Sequence, residues 1–471
     1  MQTKHSRRSF LKMAALTGGA AAAAGIGLPY ALGEAGPCFE PNDSYWALEK
    51  PPASPPLQED LSVDVAVIGG GYTGLSSAWH LAKAAPGLRV ILLEARQVGH
   101  GASGRHGGMV LPQTGVESFE IASDLATHKL VYDLTVAGMA SLQQMVQATG
   151  VACDLELDGY VHTFLSEEDL PYYEEYVEEA MRAGIPLELL DGDETARELG
   201  TEVFAGGVYD PHGGSVHAMK LVRALATAVL GAGVRIFGDS PVAGIEEGET
   251  MVLRVGGGNR TVRAKAIVLA TNGYTSKLGY FKSQVMPLHV QTAVTPPLTE
   301  SQLAGIAWDS RLPFFDSRNA LFHLVLTPDD RIVIGGGSAE YFFGNDVCYR
   351  GNLSAIADMM QGELWRMYPA LRGIRFEYVW NGLLGMSFDG APGVGVTGKH
   401  RNIFYGLAYN GQGVNLSFLF GEVIAALHQG KAHPWLETPY AGDSLPSIPP
   451  EPFRWIGTQI ALRYYDWEDA H

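Results

Sequence analysis

Two kinds of apolar spacing alternate along this chain. Val63–Ile68 is a short apolar, largely β-branched run, as expected of a strand buried on both faces of a parallel sheet. From Thr73 to Lys83 the apolar positions fall at helical spacing, and Arg89–Leu93 returns to the strand pattern. Strand, helix and strand in close succession predict one βαβ unit. A second such stretch, "VHAMKLVRALATAVLGAGVRIFGDSPVAGIE" from Val216 to Glu246, reads as helix, Gly turn and strand, and Asn415–Leu427 reads as a long apolar helix. Between them lie segments of another kind: the acidic helical stretch "SEEDLPYYEEYVEEAMRAG" and strand-like runs such as "RIVIGGG".

The turn inside the first unit carries chemistry. Gly69-x-Gly71-x-x-Gly74 joins strand to helix: the first glycine permits a tight turn, the second lets a pyrophosphate approach the backbone, and the third lets helix and strand pack closely. The helix start, with Tyr72 and Thr73, offers N–H donors and a partial positive charge to phosphate. Glu94 ends the second strand, followed by Ala95 and Arg96, where a carboxylate accepts hydrogen bonds from ribose hydroxyls. These residues predict a dinucleotide site and leave NAD and FAD both open.

Composition narrows the function classes. At 471 residues the chain is long enough for two cores, and its 46% hydrophobic and 18% charged content is globular. A formal charge of −18 argues against a nucleic-acid partner and weakly favours cationic substrates. Cys38, Cys153 and Cys348 show no Cys-x-x-Cys pair, so free thiols are expected rather than a disulfide framework. His212 and His217 have no evident third ligand, so they are read as structural and no metal site is expected. No Gly-x-Ser-x-Gly elbow, His-Glu-x-x-His or P-loop occurs.

At the N-terminus "SRRSFLK", Ser6–Lys12, matches a twin-arginine export signal and precedes an Ala- and Gly-rich apolar run, Met13–Leu28. That run is shorter than a membrane-spanning helix. The expectation is a signal over 1–35, a linker over 36–60, the export machinery as a partner and a periplasmic location, with an uncleaved segment holding the protein to the membrane as the alternative. Export of folded proteins by this route suits a cofactor loaded beforehand.

The loop "GHGASGRHGGMV", Gly99–Val110, resembles that of the D-amino acid oxidase and glycine oxidase superfamily of FAD-dependent amine oxidoreductases, most closely its gamma-glutamylputrescine oxidoreductase-like branch. The branch carries Gly-Ala-Ser-Gly-Arg-Asn-Gly-Gly, matched at Gly101–Gly108 except that His106 replaces Asn. "SYWALEKPP", "AIVLATNGYTSKL", "YGLAYNGQGVNLSFLFGEVIAAL" and the tail "FRWIGTQIALRYYDWED" extend the resemblance over nearly the whole mature chain.

The resemblance implies an α/β fold: a Rossmann-type FAD-binding domain over 61–112, 213–275 and 374–430, an interleaved α+β substrate domain over 113–212 and 276–373, and a tail over 431–471. It implies FAD contacts at Ser103, Gly104, Arg105, His106, Gly107 and Gly108, with Ser103 and Arg105 reaching phosphates or ring carbonyls. It adds Val242 near the adenine, Ala270 and Thr271 closing on the cofactor, and Gly411, Gln412, Gly413 and Val414 aiming a helix start at the flavin ring.

The implied activity is hydride transfer from a primary or secondary amine to flavin, giving an imine that hydrolyses to aldehyde or keto acid. Electrons then pass to dioxygen or a quinone. Two residues are catalytic candidates. His323 stands where the branch has the Tyr of Tyr-x-Arg, with Leu324 and Val325 following; a neutral imidazole there accepts a proton from the amine. Loss of the Arg position weakens carboxylate clamping. His106 is placed to bond the ring, covalently or by a hydrogen bond. An amino acid deaminase feeding the respiratory chain, and a flavin-binding protein without catalysis, are the competing readings.

Overall fold

The computed structural model describes residues 44–112, 124–441 and 445–471; the twin-arginine stretch and the apolar run after it lie outside the described residues. Two eight-stranded sheets organise the chain. In the first, the buried strand Leu61–Ile68 lies between Arg260–Leu269 and Val90–Leu93, parallel to both. The order continues through Ile403–Leu407 to Gly393–Thr397 on one side and to Arg235–Phe237 on the other. Its two faces separate cleanly. Val65 and Val67 pack toward the helices Tyr72–Ala84 and Gly413–His428, whereas Ala66 and Ile68 face the opposite core with Leu253, Val262 and Tyr405. A central strand with both faces covered produces the unbroken apolar run seen in the sequence.

The second sheet runs in the order 378–386, 286–294, 332–336, 322–326, 314–316, 160–164, 206–210 and 188–191. Pairing is antiparallel except between Phe314–Asp316 and Tyr160–Phe164. One boundary needs correction. The segment 374–430 was expected to belong whole to the cofactor domain, but its first strand, Tyr378–Met386, pairs along its full length with Met286–Val294. The chain therefore leaves the second sheet only after Met386. The tail is likewise more than an appendage: Phe453–Asp469 is a helix docked on the second sheet, with Arg454 donating to Asn345 Oδ1 at 2.9 Å and Asp469 accepting from the Ala320 N–H at 2.7 Å.

The cysteine expectation is also corrected. Cys153 is free and buried, but Cys348 is disulfide-bonded; Cys38 lies outside the described residues. Among the described residues no helix is long and apolar enough to cross a membrane, and no His, Cys, Asp and Glu grouping suits a metal. His212 accepts or donates at 2.9 Å with the Tyr132 hydroxyl, and His217 caps the helix Ala218–Gly231.

Candidate functional site

The phosphate turn is built by close backbone approach. Gly69 has φ +108°, and a Cβ on Gly74 would stand 1.8 Å from the Gly69 carbonyl oxygen. Gly71 brings no side chain to cap the helix that follows it, so the N–H groups after Tyr72 in its first turn are left to a pyrophosphate. The Tyr72 N–H donates to Ser103 Oγ at 2.9 Å, which leaves the Ser103 hydroxyl hydrogen available to phosphate. Ala270 N–H donates to the Ile68 carbonyl, bringing Ala270 and Thr271 against Gly69.

Glu94 is half-buried, and desolvation raises its pKa. Its Oε2 accepts from the Gly70 N–H at 2.7 Å and its Oε1 from the Arg96 N–H at 2.9 Å. Each oxygen keeps a second lone pair for a ribose hydroxyl. Ser240 and Asp239 N–H groups donate to the Glu94 and Arg96 carbonyls, which sets Val242, the first residue of its strand, on the same rim.

The loop after this rim is held from behind. Three consecutive carbonyls accept side-chain donors: Gly104 from Ser44 Oγ at 2.6 Å, Arg105 from the Trp380 indole at 2.8 Å, and His106 from the Trp46 indole at 2.8 Å. Arg105 was expected to reach the cofactor, but its guanidinium donates to the His100 and Asn381 carbonyls and so ties the loop to the second sheet.

The His106 ring is held within the protein as well. Its Nδ1 accepts from the Gly108 N–H at 3.0 Å, which places the neutral ring's proton on Nε2, 2.9 Å from the Tyr72 hydroxyl; that hydroxyl donates onward to the Ala218 carbonyl at 3.0 Å. Burial lowers the His106 pKa to about 3. With both nitrogens engaged, the ring holds the loop's shape.

A second helix start converges on the same place. Gly413–His428 begins beside Asn410 and Gly411, both at positive φ. Thr73 Oγ1 meets the Tyr409 hydroxyl at 2.6 Å and Ser417 Oγ at 3.1 Å, so this helix and the first one run together. Gln412 Oε1 and Asn415 Oδ1 are buried without partners among the described residues. These orphaned acceptors, the two uncapped helix starts and the glycine cradle fit the pyrophosphate and ring system of FAD.

Between the loops 102–107 and 410–415 and the second sheet lies a cavity of about 380 Å³. Its walls include Leu321, Leu383 and Phe315, and the C-terminal helix closes one side through Ala461 and Tyr465. His323 lines it. The ring's Nε2 has no partner among the described residues and lies where a Cβ on Gly107 would come within 1.8 Å, with Gly335 on its other side. Burial lowers its pKa to about 4, so the ring is neutral at physiological pH. Gly107→Ala is therefore expected to displace His323 and slow anaerobic flavin reduction roughly tenfold or more. The double variant Gly107→Ala/His323→Ala should be no slower than His323→Ala alone, and additive losses in stopped-flow rates would contradict this contact.

Sequence reasoning missed Ser44, Trp46 and Trp380 behind the loop, and Gln291, Asp389 and Asp466 in the cavity wall. For Ser44, Trp46 and Asp466 the only signal was resemblance, in "SYWALEKPP" and the tail.

Residues 64–427 match the family described as FAD dependent oxidoreductase. The chain is 29% identical to gamma-glutamylputrescine oxidoreductase of Escherichia coli K12 over 91% of its own length and 99% of the relative's. It is 25% identical to glycine oxidase of Geobacillus kaustophilus over 78% and 93%. The crystal structure of that glycine oxidase superposes with a TM-score of 0.67 over 79% of this chain and 96% of the other. L-proline dehydrogenase from P. horikoshii, at 19% identity, shares the fold with a TM-score of 0.68 over 82% and 98%. The cradle, the glycine loop held from behind and the match over most of the chain make this protein a member of the FAD-dependent oxidoreductase family of glycine oxidase and its relatives.

Proposed function

We propose that this chain oxidises amines whose reacting carbon carries no carboxylate, and that it works after export by the twin-arginine route. One observation carries the substrate reading. Among the described residues, the only cationic side chain in the cavity wall, Arg105, is directed to backbone carbonyls, while the wall also holds Asp389, Asp466 and unpartnered amide oxygens. A wall rich in acceptors receives an ammonium or a neutral amine and offers a carboxylate no clamp. The E. coli relative's name, with its amine-derived substrate, agrees with this reading.

FAD when bound supplies the hydride acceptor. The chain's own residues position the amine and exclude water. The apolar walls and the C-terminal helix shield the reacting carbon. A ring with a pKa near 4 binds protons far too weakly to keep the one an ammonium gives up, so His323 serves as an uncharged orienting group that does not repel the cation. The ammonium gives its proton to bulk water before the amine is enclosed, and the imine formed after hydride loss hydrolyses to an aldehyde. Electrons then pass to dioxygen or a quinone. Residues 6–12 and a disulfide at Cys348, suited to an oxidising compartment, support export.

The test is an anaerobic visible spectrum of the mature protein taken from the periplasmic fraction, mixed in turn with simple amines, polyamines and amino acids. Bleaching by amines and not by α-amino acids is expected, with an Arg7→Lys/Arg8→Lys chain retained in the cytoplasm. Bleaching by α-amino acids alone would favour the deaminase reading, and a flavin band that nothing bleaches would favour a non-catalytic flavoprotein.

A further inference from the structure

We infer that Asp466, on the C-terminal helix, is the recognition group for a second, distal ammonium, so that the preferred substrate is a straight-chain diamine or an amine with a cationic far end. The inference rests on the amine reading above and deepens it.

Three carboxylates lie near one another at the end of this helix. Glu468 and Asp469 are occupied, accepting from the Asn319 side chain and from the Asn319 and Ala320 N–H groups. Asp466 differs: it lines the cavity, and among the described residues its one hydrogen bond is to the Ser338 hydroxyl and it forms no ion pair. A carboxylate with a single neutral partner at the mouth of an apolar cavity keeps acceptor capacity for a cation.

Register places it usefully. His323 pairs with Gly335, and Ser338 follows three residues later, within about 11 Å along the chain. Asp466 is held to Ser338, so the cavity has an uncharged orienting group at one level and a carboxylate a short alkyl chain away. Apolar side chains, Leu321 and Leu462 among them, lie in the wall they share. Gln412 Oε1, buried and unpartnered in the same wall, adds an acceptor for the reacting amine at the other end. A ligand with a donor at each end and methylenes between them satisfies all of these.

The experiment compares straight-chain monoamines with diamines of matched length on the FAD-loaded enzyme, measuring kcat and KM for the wild type, Asp466→Asn and Ser338→Ala. The wild type should prefer diamines. Asp466→Asn should raise KM for diamines roughly fivefold, the size of one exposed ion pair, with kcat and all monoamine constants little changed. Ser338→Ala, which removes the helix contact and leaves the carboxylate, should keep the diamine preference. Equal losses on monoamines and diamines, or a Ser338→Ala phenotype matching Asp466→Asn, would make Asp466 a structural latch and overturn the assignment. Turnover of monoamines with no gain from a second ammonium would overturn it while leaving amine oxidation intact. Absence of reduction by any amine would overturn both readings.

Discussion

Gly74→Ala should purify without flavin. The added Cβ would lie 1.8 Å from the carbonyl oxygen of Gly69, and both atoms belong to the backbone of one turn, so no flexible side chain can give way. Either the helix start withdraws from the strand or the turn opens, and each change removes the N–H groups that a pyrophosphate needs. Loss of FAD affinity by at least about a hundredfold is expected, since this is roughly 3 kcal/mol of misplaced phosphate contacts. The measurement is the ratio of visible flavin absorbance to protein absorbance, with circular dichroism to confirm that the chain still folds. Gly362→Ala provides the contrast. It lies within the helix Leu353–Met367, where a Cβ meets nothing within 4 Å, and alanine there should be neutral or stabilising by about 0.5–1 kcal/mol. Normal flavin content in Gly74→Ala would remove the phosphate-cradle assignment.

Stability should fall steeply as the pH drops from about 6.5 toward 4. Burial lowers the pKa of His80, His162, His217, His289 and His323 to about 4 each, and that of His106 to about 3. Their folded-state values lie below the ordinary histidine value, so as pH falls the unfolded chain takes up protons that the folded chain refuses. Stability is then fully present above 6.5 and is lost through the window down to the folded-state values. Each such group contributes about 1.4 kcal/mol per pH unit inside that window. Asp210 opposes the trend, because burial raises its pKa to about 6 and the folded state binds that proton first; it offsets roughly one histidine. Urea unfolding of the FAD-saturated protein should therefore show a much lower midpoint at pH 5 than at pH 7.5. A flat profile would mean that these imidazoles are not held neutral.

Much of this architecture was readable because its rules are local. The strand ending at Ile68, the turn through Gly74 and the acid at Glu94 depend on neighbours a few positions away, and the structure places them as one cradle. The partners of Arg105 and His106 were not legible, for the opposite reason. The Arg105 guanidinium is held by the Asn381 carbonyl and the His106 ring by the Tyr72 hydroxyl, positions far off in the sequence whose approach no spacing rule reveals. The strand Tyr378–Met386 adjoins cofactor-domain residues in sequence, but its partner lies about ninety residues upstream. Asp466 was hidden similarly, since a helix near the end of the chain gave no sign that it returns to the cavity.

The parallel pairing of Val65 with Ala266 joins positions about 200 residues apart. Closing so long a loop has an entropic cost before any contact rewards it, and parallel sheets built this way fold slowly. The segment between them is not idle chain: it contains Tyr160–Phe164 and Gly206–Asp210 of the other sheet. Neither sheet can be completed first and left to wait for the other. Partly built forms will expose unpaired strand edges, and that makes assembly, rather than the stability of the finished fold, the stage at which this protein is most open to aggregation.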